Sequence, residues 1–402
     1  MAVTFLCLAV GPNAQAVSPS PDGGYHGGNT AEGQNALFSL TTGGYNTAVG
    51  WLSLRALNTG NCNTGIGAGT LALNTADENT ATGTGALLLN TTGTGNTGNG
   101  AFALFNNTLG DANTAMGAQA LMSNTDGLSN SAFGRCALMR NTIGAFNTAV
   151  GDTALYANTE GNDNTAIGYQ ALFANSTGYQ NTAIGQHALY FNTEGTENIA
   201  IGVQALSSNG AGTLNIAIGD SALAASIDTI DNVAIGMIAL IFNYSGIENT
   251  AIGNAALRRN TTGDSNAALG FSALYNNESG SRNIAIGHQA GSNITGDSNI
   301  DIGNEGVAGE SNKIRIGMVG THDASFIAGI SGTAVSGAAV LVNNDGQLGT
   351  MASSQRFKKE IKAMANASEA ILALKPVSFR YKKEIDPSAM PQFGLIAEEV
   401  ER

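Results

Sequence analysis

Residues 147–168 read NTAVGDTALYANTEGNDNTAIG. The pentad that opens this stretch closes it again 17 residues later. Its Gly recurs at Gly151, Gly168, Gly185, Gly202, Gly219, Gly236 and Gly253. Working outward, it is found at every coil from Gly50 to Gly287, with one 16-residue step between Gly67 and Gly83. A degenerate copy ends at Gly33, and the last steps shorten to 16 at Gly303 and 14 at Gly317. A short fixed period is the signature of a solenoid. Seventeen residues are too few for a pair of helices with their turns. Each unit instead holds short extended pieces separated by Gly and Asn-Thr, both turn formers. No proline lies between Pro21 and Pro376, as an uninterrupted ladder requires, because proline cannot donate to it. The expected fold is therefore an all-β repeat of coils of about 17 residues. Some sixteen coils at ~4.8 Å per rung would stack to about 75 Å.

Strand side chains alternate between faces. In N-T-A-I-G the second position exchanges Thr for Ile at Ile199, Ile216, Ile284 and Ile300, and for Val at Val233. That exchange is read as burial, so the second and fourth positions are expected inward. The third, Ala at Ala48, Ala115, Ala166, Ala183, Ala251 and Ala285, is then expected to make a flat outer surface that a partner could pack on. The Leu of each A-L pair, such as Leu121, Leu155, Leu172 and Leu189, is expected to fill the coil from a second strand. Stacked Asn residues are expected to form amide ladders.

Composition excludes several classes. Gly is 54 of 402 residues, charged residues are 12%, and the formal net charge is −13. An acidic chain is poorly suited to a phosphate backbone or an anionic membrane surface. No apolar run approaches the roughly 18 residues of a spanning helix. With 43% hydrophobic residues the chain is not a disordered tract, and three Cys are no disulfide scaffold. Cys62 and Cys136, about four coils apart, are out of each other's reach and are expected free or paired between chains. His26, His187, His288 and His322 lack metal-ligand spacing, and no cofactor is expected. The glycine-rich GTGNTGNG at 93–100 lacks Lys and falls in repeat register. Trp51, Tyr156, Tyr169, Tyr190 and Tyr275 are read chiefly as coil covers, with sugar-stacking platforms as the alternative. At the start, apolar Ala2–Val10 and the small-x-small Ala14-Gln15-Ala16 suggest an export signal over residues 1–16, although the first basic residue is Arg55.

The end of the chain differs in kind. Nine of the 17 Lys and Arg lie in residues 353–402, which carry a formal +2 against −15 for the rest. Such a shift marks a domain boundary. Between the two, residues 321–352 form a β-rich neck in which Asn344-Asp345-Gly346 signals a hairpin.

Over residues 29–320 the NTAIG units resemble the head repeats of YadA-type trimeric autotransporter adhesins, although that family favours a period near 14. The resemblance implies a left-handed parallel β-roll with three chains side by side. The tail resembles the intramolecular chaperone domain of phage endosialidases and tail spikes. It does so through Ser353, Arg356 and Lys358 in the spacing S-x-x-R-x-K, LKPVSFRY at Leu374–Tyr381 and GLIAEEV at Gly394–Val400. This second resemblance implies a small α+β domain that trimerises, assists folding and then cuts the chain beside Ser353. A Ser hydroxyl needs a base, and a Lys can serve when neighbouring charge lowers its pKa. Ser353 is accordingly assigned as nucleophile and Lys358 as base, with Arg356 positioning the segment. The resembling domain runs on past GLIAEEV, and no His lies in residues 353–402 to assist the pair. The functional expectation is a non-catalytic, extracellular or cell-surface homotrimeric fibre or adhesin, facing a host surface, matrix or glycan. It binds no nucleic acid and has no spanning segment. A phage or prophage tail fibre is the alternative, and an ice- or surface-binding solenoid a further one. The inward Thr assigned above counts against the last.

Overall fold

The computed structural model describes residues 26–327, 340–350, 359, 374–380 and 391–396. The chain divides into two units, Met1–His322 and Asp323–Arg402. The expected export signal at residues 1–16 lies outside the described residues.

In the first unit eighteen strands form one parallel sheet, from β1 (Thr30–Glu32) to β18 (Ile314–Ile316), each paired with the next in sequence. Every strand is three residues long. The pairing is in repeat register: Thr148 faces Thr165, Ala149 faces Ala166 and Val150 faces Ile167. The shortened coils keep it, with Thr64 opposite Thr80, Ile284 opposite Ile300 and Ile300 opposite Ile314. The solenoid expected from the period is thus present.

The faces are the reverse of the expectation. Ala149, Ala166, Ala183 and Ala200 are fully buried, while the flanking Thr and Ile are half-buried or exposed. The first-position Asn, on the same face as Ala by the alternation, is also inside. The reason is the width of the coil. Across from the strand stands a Leu, also fully buried at Leu155, Leu172 and Leu189. A coil this narrow has room for one large side chain, so the strand must offer a methyl. Exchange of Thr for Ile or Val therefore reflects the preference of a pleated outer surface for β-branched side chains, not burial.

The Leu fills the interior as expected, but no second strand carries it. From the repeat Gly to the next Asn the chain makes two successive turns. Ala171 N–H donates to Gly168 O (3.3 Å), and Asn175 N–H donates to Leu172 O (3.3 Å). Between these, donation alternates along the stack: Gln170 N–H reaches Asp152 O in the coil before, and Leu172 N–H reaches Ala188 O in the coil after. This alternation needs left-handed backbone at ordinary residues, with φ 56° at Gln170 and 51° at Leu172. That conformation costs roughly 1–2 kcal/mol per residue, against which the buried Leu contributes about 1.5–3 kcal/mol.

Two ladders of buried Asn run beside the Leu column. At the first, Asn164 Oδ1 accepts both the backbone N–H (3.0 Å) and the Nδ2–H (3.1 Å) of Asn181, whose amide also donates to Gly195 O. At the second, Asn175 donates to Asn158 Oδ1 (2.8 Å) and to Gly178 O (2.9 Å). The ladders anticipated from the sequence thus exist, and their rungs satisfy buried polar groups, with Asn209 Oδ1 as an exception. The glycines follow from this packing. Gly151 has φ 138°, and a Cβ there would stand about 2.5 Å from Gly168 O.

In the second unit β19 (Val340–Val342) and β20 (Leu348–Thr350) make an antiparallel hairpin. Its loop is held by Asn343 Oδ1, which accepts from Asp345 N–H (3.1 Å) and Gln347 N–H (2.8 Å), and turns at Gly346 with φ 78°. This is the hairpin expected in the neck. A second antiparallel pair joins β21 (Val377–Phe379) to β22 (Gln392–Gly394). No helix occurs among the described residues.

Candidate functional site

Ser353, Arg356 and Lys358 lie outside the described residues, so the geometry of the assigned nucleophile and base is not part of this structure. Two stretches that carried the tail resemblance do come together. Val377 of the first is opposite Gly394 of the second, and Ser378 is opposite Phe393. A Cβ on Gly394 would lie 3.1 Å from the Phe379 ring, which suits Gly at the start of GLIAEEV.

On the solenoid, the outer sheet face is the most regular surface. Through β10 (Thr182–Ile184) it carries a column of hydroxyls: Thr from Thr30 to Thr182, with Ser131 in the series. Beside it run Val49, Ile66, Met116, Phe133 and Val150, each more than a third exposed. From β2 (Thr47–Val49) to β16 (Ile284–Ile286) no strand residue is charged. Because the hydroxyls face outward, the objection raised above to a surface-binding solenoid falls.

The aromatic residues are mostly coil covers. Tyr156 and Phe173 stack at 5.1 Å and 6°, and Phe173 and Tyr190 at 5.2 Å and 5°. The Arg140 guanidinium caps Tyr156 at 5.2 Å. Ring faces spent on one another leave only edges outward, and an edge does not stack on a sugar. The face of Tyr275 is taken by Arg258, which also donates to its hydroxyl (2.6 Å). Trp51 and Tyr169 keep about half their surface exposed.

The carboxylates serve the coils. Around a shallow recess, Asp264 Oδ1 accepts Ile247 N–H (2.9 Å), Ser281 Oγ accepts Asp264 N–H (3.1 Å) and Asp297 Oδ1 accepts Ser281 N–H (2.8 Å). Among the described residues no group of three or more His, Cys, Asp or Glu could hold a metal ion. His187 pairs with Gln170 (2.9 Å), His288 stacks on Phe271, and His322 accepts from Met318 N–H. Cys62 is exposed and Cys136 buried, and both are free.

One residue escaped the sequence reading. In β17 (Ile300–Ile302) the buried Ala of the other coils is replaced by Asp301, only 2% exposed. Burial pushes its carboxyl up to about 6, against a smaller downward pull from Arg315, its partner across the ladder. Arg315 is engaged by Glu310 (2.5 Å), and Asp301 Oδ1 has no hydrogen-bond partner. The signal was in the sequence, NIDIG where other coils read NIAIG. It marks a buried carboxylate once the third position is placed inside.

A family described as chaperone of endosialidase matches residues 353–402. No curated protein and no solved structure matches the chain. The chain thus carries a chaperone-of-endosialidase domain at its C-terminal end, after a long parallel β-solenoid. The match includes none of the repeats, so their likeness to YadA-type heads rests on the NTAIG residues alone.

Proposed function

We propose that this chain is the subunit of a homotrimeric fibre of the phage or prophage tail-fibre kind. The solenoid is its non-catalytic body, and the C-terminal domain is an intramolecular chaperone. The carrying observation is the order of parts: a chaperone-of-endosialidase match at 353–402 follows eighteen parallel strands. Near-identical coils can pair out of register, so a domain that gathers chains and aids folding suits a parallel solenoid. In this reading Ser353 Oγ attacks the backbone carbonyl of residue 352 as Lys358 takes its proton; the C–N bond breaks, Lys358 returns the proton to the leaving amine, and water hydrolyses the ester, so each chain cuts itself once with Arg356 positioning the segment. The mature fibre is then carried on a virion or secreted to a surface, where it meets a host glycan or matrix. A bacterial surface adhesin needs the YadA likeness, and a tail fibre does not.

The test is intact mass together with light scattering on the full-length gene product, beside Ser353→Ala. A trimer cleaved near residue 353, and left whole by Ser353→Ala, supports the reading. A monomer that stays uncleaved overturns it.

A second reading draws on the outward hydroxyl column from Thr30 to Thr182, which suits an ordered surface such as ice. Thermal hysteresis of a solution of the chain separates the two readings, since a tail fibre gives none.

A further inference from the structure

The outer sheet face changes character at β11 (Ile199–Ile201). Before it, the second position of the pentad is a hydroxyl in every coil with a strand, and the fourth includes Glu32, Thr82 and Asn99. From β11 to β18 the fourth position is aliphatic throughout, Ile except for Leu269. The second is also aliphatic except at Thr250. This half is a continuous aliphatic strip over eight rungs, and its side chains are open in the single chain: Ile199 38%, Ile252 36%, Leu269 47% and Ile286 41% exposed. A contiguous aliphatic surface of this regularity, next to a wetted stretch of the same sheet, marks a contact surface.

We infer that the strip from β11 to β18 is the surface on which copies of this chain pack against one another, and that the hydroxyl half from β1 to β10 stays free. Three observations select a second copy as the occupant. The first is charge. The chain carries −13, and like-charged copies can approach closely only through a face without charge; no outward residue of β11–β18 is ionisable. The second is spacing. Copies lying parallel present Ile at the same rung interval over all eight strands, a match that a partner of different period loses within a few rungs. The third is area. Eight rungs at ~4.8 Å and two columns about 7 Å apart give roughly 270 Å². A stable pair buries about 800 Å² per partner. The strip is therefore too small to assemble free chains and suited to zip chains already joined elsewhere. It occupies the half of the solenoid nearer in sequence to residue 353. The inference thus rests on the trimeric reading of the C-terminal domain and adds where the bodies touch.

The experiment uses the full chain with Ile252→Cys, beside Thr148→Cys and the unaltered chain. Each is mildly oxidised and run without reductant, with light scattering of the unaltered chain in parallel. Ile252→Cys is expected to yield covalent dimers at least fivefold in excess of both Thr148→Cys and the unaltered chain. A trimer by scattering in which the two Cys variants link equally overturns the strip while leaving the trimer. A monomer overturns both. Failure to link, combined with co-sedimentation on phosphatidylcholine vesicles, assigns the strip to a lipid surface instead.

Discussion

Ser226 Oγ and Thr229 Oγ1 stand 2.6 Å apart inside the solenoid, at the two places where neighbouring coils carry Asn and Gly. The exchange is coupled. In the neighbouring pattern the Asn carboxamide fills the space a Cβ would need, as Asn175 Oδ1 does beside Gly178. Shortening Asn to Ser opens room for Thr. The result is a gap in the second ladder, and Asn209 Oδ1 is left without a partner.

Ser226→Asn combined with Thr229→Gly is therefore expected to rejoin the ladder between Asn209 and Asn243. The gain should be about 1–3 kcal/mol, the usual cost of one unsatisfied buried polar group. Ser226→Asn alone should destabilise, because the Thr229 side chain blocks the carboxamide. Denaturant midpoints of the two single variants and the double variant form the cycle that checks the coupling.

Gly65 and Gly98 both replace the inward Ala, and they should respond oppositely to having it restored. A Cβ at Gly98 would meet Ala103 O at 3.4 Å and Leu87 at 3.5 Å, ordinary contacts. Gly98→Ala is expected to stabilise by about 0.4–1 kcal/mol through the unfolded chain, with a buried methyl in addition. At Gly65 the Cβ would stand 2.6 Å from Ser53 Oγ and 2.9 Å from Thr70 Oγ1, so Gly65→Ala should destabilise. Thermal midpoints of the two variants suffice.

Asp301 should make the last coils more stable in acid. Its folded pKa is raised from 3.8 to about 6, because burial penalises the charged form. A raised carboxyl favours folding most when it is protonated. That contribution is full below about 4 and is lost as pH rises through about 6. Asp301→Ala restores the residue other coils use. The variant should exceed the unaltered chain in stability at pH 7.5, with the difference shrinking toward pH 4.5. Paired denaturation curves at the two pH values read it, and a pH-independent difference would sink the assignment.

Cutting and gathering should separate. Lys358→Ala removes the proposed base and not the fold, so it is expected to give an uncleaved trimer. Loss of trimer as well as cleavage would make Lys358 a folding residue instead. Intact mass and light scattering on the same sample distinguish the two.

The sequence made the solenoid legible because its period is a one-dimensional property that survives any error about faces. The Leu column, the Asn ladders and the hairpin after Val342 were legible for the same reason: each follows from a residue type at a fixed place. The faces were not. Thr-to-Ile exchange reads as burial in one dimension, whereas the interior width, set by Leu155 and its equivalents, demands Ala on the strand. The second segment was also misread. A Leu at φ 51° contradicts local preference and arises where the next coil takes its N–H and the Asn three residues on in its own coil donates to its C=O. Asp301 was lost with the faces. Ser353, Arg356 and Lys358 were legible as a motif, and a motif carries no geometry.

The alternating N–H directions of the turn segment, one to the coil before and one to the coil after, make each coil's upper and lower surfaces interchangeable with its neighbours'. A gene encoding such coils can lose or duplicate 17 codons without exposing a new kind of edge. Removing residues 164–180 would place Asn181 on Asn147 and Ala183 on Ala149, with each ladder closing again. Length in this chain is thus a heritable variable that unequal recombination can tune, coil by coil, while the two ends stay fixed.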